Sequence, residues 1–436
     1  MTTTYIPGVN AMPLNAVTAP TGFELSSLPM PTIGRLGGGQ FTVDVDIDAL
    51  RPAAGVTYYV APAPTGATGN DGLTAATPTT VRSAEAKADV GTIVYAPGTY
   101  MRVDGDLSAP LNKSLNHIAA APGVHITSWE PFANYAFTAY SGNVYQATRS
   151  GTTAVVDVDN LTAWGSHTVY KKVATAADVV QAGQWALVES TVYVWAIGDT
   201  NLAADETQVR LALDTFNAAH CAGAGVVQYI ENITIDGGDN GLRATAGALI
   251  IAKDCRRRYA STRGVRGDGG SVISINVEVS DCGTDGFSYG GAGAEGMEIN
   301  CRSHHNGLNS PGTNNGSTCH EDARVIRVGS DYDFCGGPVV ADVHESLTWN
   351  LGCRSGAPDG IGASVYNASW LVDGTGYDAA PATQWLDECS ADGADYAFTT
   401  IGPGLILIHA PQTVSTADPD APASSATTDG ITYYTA

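Results

Sequence analysis

The spacing of the cysteines constrains the fold of this chain more than any other feature of its sequence. From Cys282 onward, the intervals between consecutive cysteines are 19, 18, 16, 18 and 36 residues, and the last is twice 18. A repeat of about 18 residues is too short for paired helices and is typical of one coil of a β-solenoid. The eight cysteines are Cys221, Cys255, Cys282, Cys301, Cys319, Cys335, Cys353 and Cys389.

The residues around four of these cysteines repeat as well. An alternating strand precedes Cys282, Cys301, Cys353 and Cys389, and each is followed by an Asx-Gly pair that suits a tight turn. Those pairs are Asp285-Gly286, Asn306-Gly307, Asp359-Gly360 and Asp392-Gly393. Stacked coils would place like residues above one another, so we expect a ladder of inward, free thiols. The sequence therefore predicts an all-β right-handed parallel β-helix.

The pattern and composition divide the chain into five parts. We expect an N-terminal attachment arm without a core of its own, the entry and cap of the β-helix, an inserted β-rich subdomain, the β-helix itself and a C-terminal tail. One short cap helix is predicted over Val81 to Asp89. The boundaries are 1–50, 51–125, 126–218, 219–411 and 412–436.

Charge and the N-terminus limit the partners and the location. The formal net charge is −23, so nucleic acid and anionic membrane surfaces would be repelled. The basic cluster of Arg256 to Arg258, Arg263 and Arg266 is too short to reverse this field, and we interpret it as a solvated turn. From the residues at the N-terminus and the lack of a long apolar stretch, we expect neither a secretion signal nor a membrane span. Because there is no CxxC motif, we expect neither a metal nor a cofactor.

The segments DGFSYGG, NNGSTCHEDARVIRVGSDY and GGPVVADVHESLTWNLGC, within residues 285–353, resemble the β-helix cores of phage tail spikes and related virion spikes, including those of gene-transfer agents. The entry region resembles the cap of pectate-lyase-like β-helix proteins. This resemblance implies a homotrimeric virion protein, released by host lysis, that binds or cuts bacterial surface polysaccharide. It also implies attachment to a capsid or tail protein, for which we assign residues 1–50.

Polar side chains in consecutive coils are the candidates for chemistry. A glycosidase needs two carboxylates about 5 to 9.5 Å apart, which residues one or two coils apart can supply because neighbouring strands are about 4.8 Å apart. A lyase needs a base beside a group that neutralises a uronate, such as His320 with Arg324 or Arg327. The candidate catalytic residues are Glu321, Asp322, Asp342, Glu345 and His320. The candidate carbohydrate-binding residues are His304, His305, Arg324, Arg327, His344 and Trp349.

Three functions stay open at this stage. The first is a spike that binds capsular polysaccharide or lipopolysaccharide, and the second is a polysaccharide hydrolase or lyase on the same fold. The third is a structural head or baseplate component without a carbohydrate role. The competing interpretation of the polar candidates is that they cap coil corners, and for Trp349 that it packs in the core.

Overall fold

Three long parallel sheets organise the molecule, as predicted for a parallel β-helix. The computed structural model describes residues 4–5, 16–37, 40–101, 111–163, 165–205, 208–213, 219–309, 312–358, 368–375, 380–392, 394, 396–409, 413–415 and 431–434. Within these residues the sheets have twelve, ten and eight strands, and each neighbouring pair within them is parallel. One coil runs through the eight-stranded, the twelve-stranded and then the ten-stranded sheet.

The strands of each sheet follow in chain order. The twelve-stranded sheet contains Val56–Val60, Val90–Tyr95, Leu115–Ala119, Val227–Glu231, Leu249–Lys253, Ser271–Ile275, Glu295–Ile299, Arg324–Val328, Leu347–Leu351, Thr383–Asp387, Leu405–His409 and Ile431–Tyr434. The ten-stranded sheet contains Gly98–Met101, Val124–Thr127, Thr234–Asp236, Arg256–Arg258, Glu278–Ser280, Arg302–His304, Asp331–Asp333, Arg354–Ser355, Ser390–Asp392 and Thr413–Ser415. The eight-stranded sheet contains Ala219–Ala222, Leu242–Thr245, Val265–Asp268, Phe287–Gly290, Ser317–Cys319, Val340–Val343, Ala368–Asp373 and Tyr396–Ile401.

The cysteines are inward and free, as predicted, but they do not form one ladder. All eight are buried, and burial raises the pKa of the Cys282 thiol to about 12. Cys301 and Cys353 follow strands of the twelve-stranded sheet, Cys282 follows a strand of the ten-stranded sheet, and Cys319 lies within the eight-stranded sheet. The thiols therefore line three different parts of the coil interior.

The predicted period of about 18 residues is consequently wrong as a coil length. Successive strands of the twelve-stranded sheet, from Leu249 to Thr383, begin 22, 24, 29, 23 and 36 residues apart. The coils differ in length, and the cysteines of successive coils lie in or next to strands of different sheets. Together these two differences give the near-constant cysteine interval. What recurs is a left-handed residue directly before a cysteine, as at Asp254, Asp281 and Asn300. Gly307 has a left-handed φ but Gly286 does not, and the pair at 359–360 lies outside the described residues, as does Gly393.

The cap helix and the inserted subdomain are both present. Thr80 caps the N-terminus of the helix Val81–Glu85, and its hydroxyl accepts a hydrogen bond from the Ser83 N–H. The helix packs on the first coil through Val81 and Ala84. It ends four residues before the predicted Asp89. A second short helix is Ile47–Leu50, and 3₁₀ turns are Phe132–Asn134, Ala176–Asp178 and Ile197–Asp199.

The inserted subdomain has two small sheets with an apolar core of their own. Within the described residues, the five-stranded sheet contains Thr138–Ser141, Val144–Thr148, Thr191–Trp195, Gln184–Val188 and Lys171–Lys172. The three-stranded sheet contains His167–Val169, Thr152–Leu161 and Val209–Leu213.

The N-terminal segment packs on its own β-helix. Strands Thr4–Tyr5, Ala16–Val17, Thr32–Gly37 and Gln40–Asp44 form a small sheet. Its apolar side chains share one cluster with the outward side chains of the twelve-stranded sheet, including Ile273, Met297 and Trp349. We call residues 16–51 the strap. The sequence correctly indicates that this segment lacks a core of its own, but the surface that the strap packs against belongs to the same chain. Residues 6–15 of the predicted arm lie outside the described residues.

The carboxylate of Glu295 anchors the strap. Glu295 accepts hydrogen bonds from the backbone N–H groups of Ser26, Ser27 and Leu28 at 2.5, 2.9 and 2.8 Å, and from the hydroxyls of Ser26 and Ser27 at 2.7 and 2.6 Å. Hydrogen bonds to a charged group contribute about 1.5 to 3 kcal/mol each when one partner is removed. Glu295 is therefore the strongest polar anchor that we find for this segment.

We predict that Glu295→Gln loosens the strap, because the amide nitrogen of Gln cannot accept the hydrogen bonds that one carboxylate oxygen accepts. The local cost is about 2 kcal/mol. Tryptic cleavage after Arg35, followed by mass spectrometry, should become faster in this variant. The exposed Glu189→Gln is the control and should leave the cleavage rate unchanged. Equal rates in all three proteins would show that Glu295 does not hold the strap.

The contribution of Glu295 should also depend on pH. Burial raises the pKa of Glu295, but the hydrogen bonds from Ser26, Ser27 and Leu28 lower it by more, so the pKa lies below its ordinary value of 4.5. A carboxyl with a lowered pKa stabilises the folded state above its unfolded pKa and loses this effect as the pH falls through its folded pKa. The difference in Tm between the wild type and Glu295→Gln should therefore be largest near neutral pH and shrink in acid. A difference that grows in acid would contradict the assignment.

Candidate functional site

The corners between the eight-stranded and twelve-stranded sheets change in character along the chain. In earlier coils they consist of small residues, such as Gly269-Gly270 and Gly291 to Ala294. In two consecutive coils they become His320-Glu321-Asp322 and His344-Glu345. We call His320, Glu321 and His344 the histidine corner.

The backbone at these corners does not require such side chains. Each of these corners has at least one residue with a left-handed φ, which is 54° at Ala246, 65° at Gly269, 53° at Glu321 and 64° at His344. This conformation costs a residue with a Cβ about 1 to 2 kcal/mol, a cost that glycine does not have. Glu321 and His344 therefore occupy positions where glycine would have a lower backbone energy. Strained backbone conformations of this kind are common at functional sites.

The three side chains of the histidine corner lie close together. Oε1 of Glu321 is 3.9 Å from Nδ1 of His344, and the ring centroids of His320 and His344 are 5.7 Å apart. The Gly291 N–H donates to Oε2 of Glu321 at 2.9 Å. A Cβ on Gly290 would lie 2.6 Å from the same oxygen, so the small residues of the preceding coil leave space for the carboxylate.

Both acidic and basic side chains lie near His320. Burial lowers the pKa of His320, while the nearby carboxyl groups of Asp285 and Glu321 oppose this effect and the charge of Arg263 reinforces it. Burial raises the pKa of Asp285, and Arg263 partly offsets that shift from 3.4 Å. Nε2 of His320 also lies 3.1 Å from the hydroxyl of Thr318. The corner thus combines a partly buried imidazole with carboxylates and a guanidinium.

Three arginines extend this polar surface over the outer face of the eight-stranded sheet. Arg243 and Arg266 are register partners on adjacent strands, and both contact Oδ2 of Asp268 at 2.5 and 3.2 Å. Arg263 reaches the hydroxyl of Ser288, which is the register partner of Arg266. The three arginine side chains are 27 to 30% exposed. We define the arginine–histidine face as Arg243, Arg263, Arg266, His320, Glu321 and His344.

The structure corrects the assignment of Asp342 and Arg327 as ligand-contacting residues. Both side chains are completely buried inside the coil, where Arg327 donates to both carboxylate oxygens of Asp342 at 2.8 and 3.0 Å. Asp342 is the register partner of the inward Cys319, so strand alternation points it into the interior. Glu298, at 3.5 Å from Arg327, belongs to the same buried group. These residues stabilise the interior and do not reach a polysaccharide.

Trp349 is likewise buried, with 1% exposure, so it is not a platform for a sugar ring. Its ring centroid lies 6.1 Å from that of Phe23 in the strap, and its indole N–H donates to Asp387 at 2.8 Å. Arg324 is part of the twelve-stranded sheet and donates to the Glu24 carbonyl in the strap at 2.7 Å. The core-packing interpretation of Trp349 is therefore the correct one.

The remaining candidates divide between two locations. Asp322 is exposed and Glu345 is half-buried, both next to the histidine corner. His304 and His305 lie instead at the end of a strand of the ten-stranded sheet, with their Nδ1 atoms 2.8 Å apart. His304 is almost fully buried, and His305 stacks on Phe334 at 5.4 Å. The structure does not bring this pair together with His320.

Sequence reasoning did not predict that Arg243, Arg263 and Arg266, which we call the arginine row, lie together. The sequence suggested a solvated turn for Arg263 and Arg266 together with Arg256, Arg257 and Arg258. These last three instead form a strand in which Arg257 is fully buried. Arg243 lies 23 residues before Arg266, which is one coil. That interval is the signal that could have revealed the row, had the correct coil length been known.

A separate cleft of about 810 Å³ lies between the inserted subdomain and the β-helix. Its walls include Lys171 and Trp185 on the subdomain side, and Asp281, Leu308 and Asn309 on the β-helix side. Burial raises the pKa of Asp281, with the hydroxyl of Ser280 opposing that shift. Trp185 is almost entirely buried in the subdomain core, so it does not offer an open ring face.

Comparisons with known proteins bear on the fold. No protein-family model matches the chain, and no curated protein matches it by sequence. The solved complex of XylC with xylose is similar with a TM-score of 0.54 and 12% identity, covering 82% of this chain and 69% of that one. Pectate lyase Pel9A has a TM-score of 0.37 and 13% identity, covering 86% of this chain and 82% of that chain.

The tailspike protein gp49 from Pseudomonas phage LKA1 has a TM-score of 0.31 and 11% identity, covering 75% of this chain and 64% of that chain. Of these three likenesses, that to XylC has a TM-score above 0.5 and supports the fold alone. Among the described residues, no helix is long and apolar enough to cross a membrane.

We predict that Asp342→Ala destabilises the protein strongly, because it leaves the guanidinium of Arg327 buried without its main counter-charge. Breaking a buried ion pair in this way costs about 3 to 5 kcal/mol. The exposed Asp322→Ala should change the free energy of unfolding by less than about 0.5 kcal/mol. Denaturant unfolding of both variants checks this. An Asp342→Ala protein as stable as the wild type would contradict the buried structural role.

Proposed function

We propose that this protein is a virion spike that binds bacterial surface polysaccharide, capsular or lipopolysaccharide, along its arginine–histidine face. The observation that carries the proposal is the collection of three partly exposed arginines on one sheet face of a chain whose net charge is −23. In so acidic a protein, a local group of guanidinium side chains selects for anionic groups on the partner. Uronate and phosphate groups on surface polysaccharides have that chemistry.

The geometry of the arginines suits the recognition of carboxylate and phosphate. A guanidinium has five N–H donors in a planar fork, and it pairs with such groups through two parallel hydrogen bonds. Asp268 holds Arg243 and Arg266, and Asp285 holds Arg263. These acids fix the positions of the arginines and reduce the entropy that binding would cost. Nε of Arg243 is buried and has no hydrogen-bond partner among the described residues.

The length of the face fits a polymer better than a single sugar. It extends from the strand Leu242–Thr245 to the strand Val340–Val343, which is four strand spacings. At about 4.8 Å per spacing, the face is about 19 Å long. The XylC complex shows xylose bound to a protein of related fold, which makes a sugar the first ligand class to test.

The particle-related parts of the proposal depend on the sequence resemblance. They are location in a phage or gene-transfer-agent virion, homotrimeric assembly, and attachment to a capsid or tail protein through residues 1–50. Part of that segment, the strap, packs on the β-helix of the same chain. Attachment would therefore use the outer surface of the strap or the residues before the strap. Immunogold labelling of intact particles tests the location.

Cleavage of the bound polysaccharide is the second candidate function. With Asp342 buried, the remaining carboxylates at the corner are Glu321, Asp322 and Glu345. Glu321 and Glu345 occupy adjacent coils, and the Glu345 N–H donates to the Glu321 carbonyl at 3.0 Å. One strand spacing is close to the separation of about 5 to 5.5 Å that a retaining glycosidase needs. New reducing ends or unsaturated uronate absorbance after incubation with host capsule would establish cleavage, and their absence would leave binding alone.

We predict that Arg266→Ala weakens binding to an anionic capsular polysaccharide by about 10- to 100-fold, the loss of about 1.5 to 3 kcal/mol from one charge-assisted contact. Binding should also weaken as salt is raised, because the face is partly exposed. Surface plasmon resonance on immobilised polysaccharide measures both effects.

Arg256→Ala is the matched control, because Arg256 is exposed and paired with Glu278 on the ten-stranded sheet. It should bind like the wild type. Equal affinity of all three proteins would place the binding site elsewhere. Failure of the wild type to bind any capsule or lipopolysaccharide in a panel from candidate hosts would contradict the proposed function itself.

A further inference from the structure

We propose that His320, Glu321 and His344 form a binding site for a divalent transition-metal ion of the zinc class. Each of the three residues offers one ligand atom, and these atoms all lie within 4.8 Å of one another. Two imidazoles and one carboxylate are a common ligand set for Zn²⁺ with an open coordination position, and for related ions. The absence of a CxxC motif led us to expect no metal, but a site whose ligands lie on two coils has no local sequence motif.

The observed geometry is near that of a loaded site. Ligand bonds of about 2.0 to 2.2 Å place the ligand atoms of a tetrahedral zinc ion about 3.3 Å apart. Oε1 of Glu321 and Nδ1 of His344 are 3.9 Å apart, and the two imidazole rings are tilted by 56° with centroids 5.7 Å apart. The ligand atoms therefore need to move less than about 1.5 Å towards one another to bind the ion. Side-chain rotation can supply it, because Glu321 and His344 are 39% and 29% exposed.

Contacts behind the ligands hold them in place. The Gly291 N–H donates to Oε2 of Glu321 at 2.9 Å, and the Thr318 hydroxyl lies 3.1 Å from Nε2 of His320. Thr318 is itself completely buried. Hydrogen bonds of this kind orient metal ligands and are a regular part of metal sites. Two of the three side chains are thus held by hydrogen bonds, one from the corner of the preceding coil and one from the strand that precedes His320.

The location of the site suggests what the ion does. The histidine corner lies at one end of the arginine–histidine face, so an ion with an open position could accept an oxygen atom of a bound anionic sugar. This role in sugar binding rests on the proposed function. Metal binding itself does not, because it is measured with the ion alone.

The alternative ligand sets in the described residues are poorer. His304 and His305 have Nδ1 atoms only 2.8 Å apart, while the carboxylate of Glu278 contacts the other nitrogen of His304. The cysteines are buried, and burial raises the pKa of thiols such as Cys282 and Cys301, which opposes thiolate ligation. The histidine corner is therefore the location that we test.

The test is titration of the full-length protein with Zn²⁺ by isothermal calorimetry, together with the visible spectrum of the Co²⁺-loaded protein. We expect one ion per chain and the intense absorption bands of tetrahedral Co²⁺. His320→Ala and His344→Ala should each weaken Zn²⁺ binding at least tenfold and remove the Co²⁺ bands. Glu321→Gln should weaken binding less, since its amide oxygen remains a ligand. Ca²⁺, which prefers an all-oxygen site, should not compete.

His125→Ala is the matched control, because His125 is a half-buried histidine of the ten-stranded sheet. It should bind Zn²⁺ like the wild type. Circular dichroism confirms that each variant is folded, and a corner variant that does not fold is replaced by His344→Gln. Absence of Zn²⁺ binding to the wild type, or unchanged binding in both histidine variants, would overturn the proposal. Polysaccharide affinity is measured separately without added metal, so failure of one proposal is distinguishable from failure of the other.

Discussion

In-register stacking of parallel strands is the constraint on which this structure depends. Between Ala219 and Ser415 each coil adds one strand to each of three sheets, so the position of a strand residue is set by its register partners in the neighbouring coils. An inward position stays inward through the stack, as Cys319 and Asp342 show. An outward position likewise stays outward, as Arg243 and Arg266 show. The same register that builds the core therefore also stacks the outward side chains above one another.

Stacking also explains why the interior can hold charge. Arg327 is buried beside Asp342 and Glu298, and hydrogen bonds from Ser317, Tyr332, Thr348 and Gln384 satisfy the two carboxylates. A buried charge is tolerable when it is paired and hydrogen-bonded. Polarity alone therefore does not identify a ligand-binding residue in this fold. The direction of a side chain, into the coil or towards solvent, decides whether the residue can contact a ligand.

The sequence was sufficient for the fold class and insufficient for the register. Alternating strands and buried free thiols were recognisable, since both follow from short-range pattern. The coil length was not recognisable, because coils of 22 to 36 residues carry cysteines in or next to strands of all three sheets, and the resulting intervals mimic a shorter period. The direction of Asp342 depended on that register, as did the meeting of Arg243 with Arg266. The alternating residues Phe41 to Asp48 predict a strand, but the structure ends that strand at Asp44 and begins a helix at Ile47. Nothing local indicated that the apolar side of this strand would join the cluster that contains Trp349.

The central claim is that an anionic polysaccharide lies along the outer face of the eight-stranded sheet. The most direct measurement is an experimental structure of the protein with an oligosaccharide prepared from the capsule or lipopolysaccharide that it binds. We expect sugar density between Arg243 and His344, with acidic groups of the sugar on Arg263 and Arg266. Density confined to the cleft between the inserted subdomain and the β-helix, or to the outer surface of the strap, would contradict it.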